Sequence, residues 1–142
     1  MAERVEVSAR LVDEKVAFEG TAGDLAPVRF DYPPPLGEGG GLTGLQGLLL
    51  SFAACSATTV VALLRNAGKT VSGLRVRAGG LRREEHPTCF STIDLDFEIR
   101  SPDVRDADVE KALGLSEASV CPVWALLKGN VEIRTAFSIQ EP

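Results

Sequence analysis

A long uncharged segment limits the folds open to this chain. No Asp, Glu, Lys or Arg occurs between Glu38 and Arg65. The run is long enough to span a bilayer, but it contains Thr, Gln and Ser side chains, and glycines crowd its first third. A helix buried on most sides within a globular core or a dimer explains this pattern better. We therefore expect no membrane partner.

Local signals mark both ends of this helix. Thr43 and Gln46 fit a capping box, in which the Thr hydroxyl and the Gln side chain satisfy free backbone N–H groups of the first turn. Gly68 suits the residue that closes the last turn. The sequence therefore predicts a helix from Thr43 to about Asn66, which is about 36 Å long at 1.5 Å per residue.

The remaining patterns predict strands and two further helices. Apolar and polar residues alternate from Val5 to Leu11, which is typical of a half-buried strand. Further strands are predicted over residues 15–19, 28–32, 74–78, 93–99 and 131–139, helices over 106–119 and 122–128, and a Pro- and Gly-rich loop over 33–41. This order predicts an α+β fold with a mostly antiparallel sheet packed on helices. We expect one domain over residues 1–142, in which an N-terminal β-meander (1–35) precedes a helix–hairpin–helix–strand core (36–142).

Composition excludes several functional classes. The net charge of −5 and the pI near 4.9 argue against nucleic-acid binding, because phosphate contacts need clustered Lys and Arg side chains. Three cysteines are too few, and odd in number, for a secreted disulfide scaffold. The first residues show no apolar core resembling a signal peptide. We expect a cytoplasmic protein.

Two cysteines occupy unlike settings. Cys121 precedes Pro122, so it should cap a short helix, where free N–H groups favour a thiolate; alternatively, it is a small residue that only happens to cap this helix. Cys55 lies among alanines in the middle of the long helix, where a buried and inert cysteine is the usual outcome. If the two meet in space, they are a candidate redox couple.

Other candidate residues predict little chemistry. Cys89 shares the parity of Ile93 and is expected to be a core or edge residue of that strand. His86, the only histidine, lies in a charged turn and is expected at the surface. The lack of further histidines disfavours zinc hydrolases and His-based triads, and residues 39–41 do not continue into a phosphate loop. We expect no metal and no cofactor.

Two motifs resemble the OsmC/Ohr family of thiol-dependent hydroperoxide reductases, and its OsmC-like branch in particular. They are Leu-Leu-Leu-Ser-Phe-Ala-Ala-Cys at residues 48–55 and Ser-Glu-Ala-Ser-Val-Cys-Pro-Val at residues 116–123. The charged segment 82–87 with the following Phe90 adds to the resemblance, which covers nearly the whole chain.

The resemblance implies both an assembly and a reaction. It implies an OsmC-like fold and an intertwined homodimer, with the two long helices packed at the centre and the active sites at the subunit interface. Cys55 would be the peroxidatic thiolate and Cys121 the cysteine that condenses with its sulfenic acid. A dithiol reductant would restore both thiols. An apolar interface pocket would favour organic hydroperoxides as substrates.

The chain departs from the family near the start of the long helix. Better-known members carry a Glu there that holds an activating Arg, whereas this chain has Leu45 and Gln46. Gln46 could still hydrogen-bond an Arg, for which Arg29 and Arg10 are the candidates. We expect peroxidase activity weaker than in the best-studied relatives. The alternative is a non-enzymatic OsmC-like dimer that binds a small apolar ligand in its interface pocket, with structural cysteines; the missing Glu favours it, and retention of both cysteines favours the enzyme.

Overall fold

Two compact units, Met1–Leu48 and Leu49–Pro142, make up the chain. The structure is a computed structural model that describes residues 2–142. Its elements, in chain order, are β1 (Ser8–Leu11), β2 (Phe18–Thr21), β3 (Val28–Phe30), α1 (Gly44–Asn66), β4 (Gly73–Arg82), β5 (Phe90–Arg100), α2 (Asp106–Leu115), a π-helical turn (Ser116–Val120), α3 (Pro122–Leu127) and β6 (Glu132–Gln140). This order of strands and helices confirms the predicted α+β class.

The first unit contains the predicted three-stranded meander. Strands β1, β2 and β3 pair antiparallel in sequence order. The predicted half-burial of the first strand is wrong within this chain. All four residues of β1 are exposed, and so are Val5 and Val7 before it. The alternation is real in the sequence, but none of the residues that the structure describes buries β1.

Asp31 organises the Pro- and Gly-rich loop that follows β3. Its side chain is buried, and its carboxylate accepts hydrogen bonds from the backbone N–H groups of Tyr32 (2.8 Å), Glu38 (3.3 Å) and Gly40 (3.0 Å). At Gly37 an added Cβ would lie 2.2 Å from the carboxylate, so the loop packs directly against it. The predicted loop is therefore irregular but well anchored.

Replacing Asp31 by Asn is expected to destabilise the protein in a pH-dependent way. The N–H groups of Gly40 and Tyr32 lower the pKa of the carboxyl group below its usual value. A lowered pKa in the folded state stabilises above the unfolded-state pKa, and this contribution disappears as the pH falls through the folded-state pKa. Urea unfolding should show a gap between Asp31→Asn and wild type at neutral pH that closes in acid. Asp24→Asn, at an exposed site, is the charge-matched control; a gap independent of pH would contradict the account.

Helix α1 begins and ends where the local signals predict. The N–H of Thr43 donates to Gln46 Oε1 at 2.9 Å, and the N–H of Gln46 donates to Thr43 Oγ1 at 3.2 Å, which confirms the capping box. Gly68 follows the helix with a φ of 81°, as a C-terminal cap requires.

Within the single chain, α1 is less buried than predicted. Its buried residues are Phe52, Ala53, Ser56, Thr59, Val60 and Leu64. The opposite face is open, and the Leu50 side chain on it is 59% exposed. By length and composition alone α1 could cross a membrane, and 33% of its most apolar window is buried. The burial predicted on most sides is therefore not provided by this chain alone.

The second unit contains a three-stranded sheet, and this sheet and the helices together enclose the core. Strand β4 pairs antiparallel with β5, which confirms the predicted hairpin, whereas β6 pairs parallel with β5. A parallel pairing needs a long crossover connection, which α2, the π-helical turn and α3 supply. The pairings are mostly antiparallel, as predicted, but they form two sheets. The core-facing residues of β5, each at most 1% exposed, are Ile93, Leu95, Phe97 and Ile99.

The prediction that Cys89 is a core or edge residue of the strand is wrong. Cys89 is exposed and precedes β5, in the hairpin tip. A bulge explains the error: Arg82 pairs with Phe90, whereas Leu81 pairs with Thr92, so one residue of β5 is unpaired. The extra residue reverses the parity of the strand before it. Phe90 is buried as a result, and Cys89 points to solvent.

Candidate active site

Cys121 lies at a junction between two kinds of helix. The helix predicted over residues 106–119 is α-helical only to Leu115 and continues as the π-helical turn. The Cys121 N–H donates to the Ser116 carbonyl, five residues back, at 3.0 Å. Cys121 then adopts φ −79° and ψ 110°, an extended conformation that the following Pro122 favours. As predicted, Cys121 is the N-cap of α3.

The structure brings Cys55 and Cys121 together. Their Sγ atoms are 3.5 Å apart, although 66 residues separate them in sequence. Cys55 is partly exposed on α1, and Cys121 is buried, with 2% of its surface exposed. Two free thiols at this distance, one open to solvent and one enclosed, form a pair in which one sulfur can meet a solute and the other can reach only its neighbour.

An aromatic pair supports the two cysteines from below. Phe52 lies one helical turn before Cys55 on α1, and Trp124 lies one turn after Cys121 on α3. The ring centroids are 5.6 Å apart in an edge-to-face arrangement at 82°. Phe52 is 0% and Trp124 3% exposed. This contact joins α1, which carries Cys55, to α3, which Cys121 caps.

Burial raises the pKa of the Cys55 thiol above its usual value. The neighbouring Cys121 thiol raises this pKa further, while the backbone N–H of Val123 acts in the opposite direction by hydrogen bonding to the Cys55 sulfur. None of the groups that shift the pKa of Cys55 carries a positive charge. Within one chain, Cys55 is therefore a thiol of modest acidity.

The reaction of Cys55 with a hydroperoxide is expected to accelerate as the pH rises through neutrality. The thiolate is the nucleophile, and a raised pKa leaves the group mostly protonated at neutral pH. Measuring the loss of the Cys55 thiol in Cys89→Ser protein over a range of pH tests this directly. A rate that is already constant at neutral pH and above would contradict the raised pKa.

Ser56 was not predicted as a site residue, yet its side chain contacts the pair. Its Oγ lies 3.8 Å from Cys121 Sγ, within hydrogen-bond range for sulfur, and Ser56 is 0% exposed. The available signal was a hydroxyl next to Cys55 in an apolar helix. That signal is weak, because a helical Ser usually bonds to its own backbone.

The supporting residues predicted from the resemblance belong to the first unit. Gln46 is held in the capping box of α1. Arg10 forms an ion pair with Glu19 at 3.1 Å, and Arg29 lies opposite Glu19 in the register of β2 and β3. The cysteine pair belongs to the second unit, so a role of these three residues in activating Cys55 stays a prediction.

The other ionisable candidates lie between β4 and β5. His86 is exposed in the hairpin tip, as predicted, and Cys89 is exposed near it. Over residues 2–142, no group of three or more His, Cys, Asp or Glu side chains is arranged to hold a metal ion.

Known proteins resemble this chain in both sequence and fold. Residues 37–136 match the family described as OsmC-like protein. Protein YhfA of Escherichia coli K12 is 28% identical over 125 residues, which is 88% of this chain and 82% of YhfA.

Two solved structures show the same fold. A hypothetical protein from Aquifex aeolicus superposes with a TM-score of 0.85 at 24% identity, covering 99% of each chain. The organic hydroperoxide resistance protein OsmC of Legionella pneumophila superposes with a TM-score of 0.71 at 17% identity, covering 97% of this chain and 98% of that one. The family match spans well over half of the sequence and includes both Cys55 and Cys121. This chain belongs to the OsmC-like protein family.

Proposed function

We propose that this protein is a thiol-dependent peroxidase that reduces organic hydroperoxides through a Cys55/Cys121 cycle. The observation that carries the proposal is the 3.5 Å separation of the two sulfurs. The difference in exposure supports the proposed roles, in which partly exposed Cys55 meets the hydroperoxide and buried Cys121 attacks what forms on Cys55.

The reaction has three balanced steps. The Cys55 thiolate attacks the terminal peroxide oxygen, the O–O bond breaks, and an alcohol leaves after taking up a proton, while Cys55 becomes a sulfenic acid. The Cys121 sulfur then attacks the sulfenic sulfur, so that an S–S bond forms, the S–O bond breaks, and water leaves. A dithiol reductant exchanges with this disulfide and returns both cysteines to thiols. Such reductants maintain thiols in the cytoplasm, which is where we expect the cycle to operate.

An organic substrate is favoured by the apolar surroundings. A groove of ≈ 440 Å³ runs along α1, the helix that carries Cys55; its lining residues are Ala57, Thr58, Val61, Ala62, Arg65 and Leu74. The similarity to a protein named for organic hydroperoxide resistance supports the same substrate class.

The working protein is proposed to be a homodimer in which a second copy covers the open face of α1. Five of the six groove residues lie on one face of α1, Leu74 lies on β4, and most of the six are apolar. Leu50 on α1 and Val5 and Val7 before β1 add exposed apolar surface. Light scattering of the purified protein should give twice the monomer mass of 15.1 kDa; a monomer would remove this part of the proposal.

Residues of the first unit are proposed to activate Cys55. The Cys55 thiol has no cation beside it in the second unit, and Arg29 or Arg10 of either copy would supply one. Gln46 would hydrogen-bond that arginine. Because Gln46 is uncharged, it holds an arginine less firmly than a carboxylate would. We therefore expect slower turnover than in family members that carry Glu at this place.

Turnover measurements test the proposed activity. Consumption of cumene hydroperoxide should be catalytic with excess dithiothreitol, a dithiol, and slower with hydrogen peroxide as the substrate. A monothiol reductant should support a lower rate, because it cannot resolve the mixed disulfide intramolecularly. Consumption no faster than that by free cysteine at the same concentration would overturn the peroxidase and leave the groove as a binding site for a small apolar ligand.

A further inference from the structure

We propose that Ser56 is a positioning residue that holds the Cys121 sulfur and favours its thiolate during disulfide formation. The inference rests on the proposed two-cysteine cycle and assigns a separate residue to its second step. The peroxidatic cysteine has a backbone donor, the N–H of Val123. The Ser56 hydroxyl contacts the Cys121 sulfur, and once Cys121 is a thiolate the hydroxyl must be the donor of this pair, because a thiolate can only accept.

The geometry aims the Ser56 hydroxyl away from its own helix. Thr58 and Thr59, on the same stretch of α1, donate their hydroxyls to the carbonyls of Ala54 (2.9 Å) and Cys55 (3.0 Å). Ser56 instead has its Oγ 3.8 Å from Cys121 Sγ, on a different helix. The buried Ser56 hydroxyl therefore contacts the reacting sulfur of Cys121 instead of a carbonyl of its own helix.

The chemistry of the second step calls for such a donor. Cys121 must lose its proton before its sulfur attacks the Cys55 sulfenic acid, and a thiolate can only accept hydrogen bonds. The site is 2% exposed at Cys121, so water is scarce around the developing charge. The Ser56 O–H then donates to the Cys121 sulfur, and the Cys121 N–H bond to Ser116 holds the backbone in place.

The expected size of the effect follows from the loss of one hydrogen bond. Without the long O–H···S bond to the charged sulfur, disulfide formation should slow about threefold. The rate should fall further where the sulfur also loses its position.

Ser56→Ala tests the proposal with two readouts. Alanine removes only the oxygen and is a strong helix former, so the fold is retained. After a pulse of cumene hydroperoxide, the Cys55 sulfenic acid should be trapped by dimedone in greater yield than in wild type, and the disulfide should appear at least about threefold more slowly. The matched control is Thr59→Val, which removes a hydroxyl that bonds within α1 and should leave the disulfide rate at the wild-type value.

The second readout does not depend on peroxidase activity. In a Cys55→Ser, Cys89→Ser background, Cys121 is the one remaining cysteine, and its thiolate absorbs in the ultraviolet. Adding Ser56→Ala should lower this absorbance, because the charged sulfur then loses a hydrogen-bond donor. An unchanged absorbance and an unchanged disulfide rate overturn the role of Ser56. If wild type forms no sulfenic acid but Ser56→Ala still lowers the absorbance in the Cys55→Ser, Cys89→Ser background, the peroxidase proposal fails while the role of the Ser56 contact stands.

Discussion

Replacing Cys55 by Ser is expected to abolish the dithiol-dependent consumption of cumene hydroperoxide. The loss should be at least about a thousandfold, because removing a covalent nucleophile leaves no alternative path of comparable rate. The buried partner cannot substitute, since Cys121 is 2% exposed and has no access to a solute. The measurement is the rate of hydroperoxide loss with excess dithiothreitol, at matched concentrations of wild type and variant.

Two companion variants separate the roles of the cysteines. Cys121→Ser should still lose the Cys55 thiol to hydroperoxide, but the sulfenic acid should persist and proceed to sulfinic acid, because no second sulfur condenses with it. Cys89→Ser should behave as wild type, because Cys89 is exposed in the hairpin tip. Activity retained in Cys55→Ser, or lost in Cys89→Ser, would show that Cys55 is not the peroxidatic cysteine.

Replacing Phe52 by Ala should cause the largest loss of stability among the substitutions considered. Phe52 is 0% exposed, and its ring meets the Trp124 ring edge-to-face. Truncating a buried Phe typically costs about 3–5 kcal/mol, from lost apolar burial and the cavity left behind, and this includes an aromatic contact of about 1 kcal/mol. Urea unfolding at fixed protein concentration measures the change in the free energy of unfolding.

The Phe52 variant also tests how the cysteine spacing is maintained. Since the ring pair lies one turn from both sulfurs, Phe52→Ala should slow disulfide formation after hydroperoxide addition as well as lower stability. Leu81→Ala is the control, because Leu81 is 66% exposed, and surface truncations usually change stability by less than about 0.5 kcal/mol. A Phe52 variant as stable as the Leu81 variant would refute the supporting role of the ring pair.

Sequence alone predicted those features that depend on neighbouring residues. The limits of α1 follow from Thr43, Gln46 and Gly68, whose effects act within a single helical turn. The N-cap position of Cys121 follows from the proline after it. The features that the sequence did not reveal depend on distant partners: the bulge that exposes Cys89 exists only in the pairing of β4 with β5, and the parallel direction of β6 depends on a crossover.

The candidate site could be predicted in part. Cys121 carried a local signal in Pro122, whereas Cys55, among alanines, carried none, and its selection depended on the family resemblance. Ser56 escaped selection because its partner lies on another helix, 65 residues away. Hydrogen bonds between segments that are distant in sequence produce no periodic pattern of residues. The contact of the Ser56 hydroxyl with a sulfur is therefore visible only in the structure.

Disulfide mapping of wild-type protein shows whether Cys55 and Cys121 form the redox pair. The reduced protein is mixed with one equivalent of cumene hydroperoxide, remaining thiols are alkylated, and peptides are identified by mass spectrometry. The account predicts a Cys55–Cys121 disulfide in most molecules, with Cys89 alkylated. Alkylation of all three cysteines, or a disulfide that includes Cys89, would contradict it.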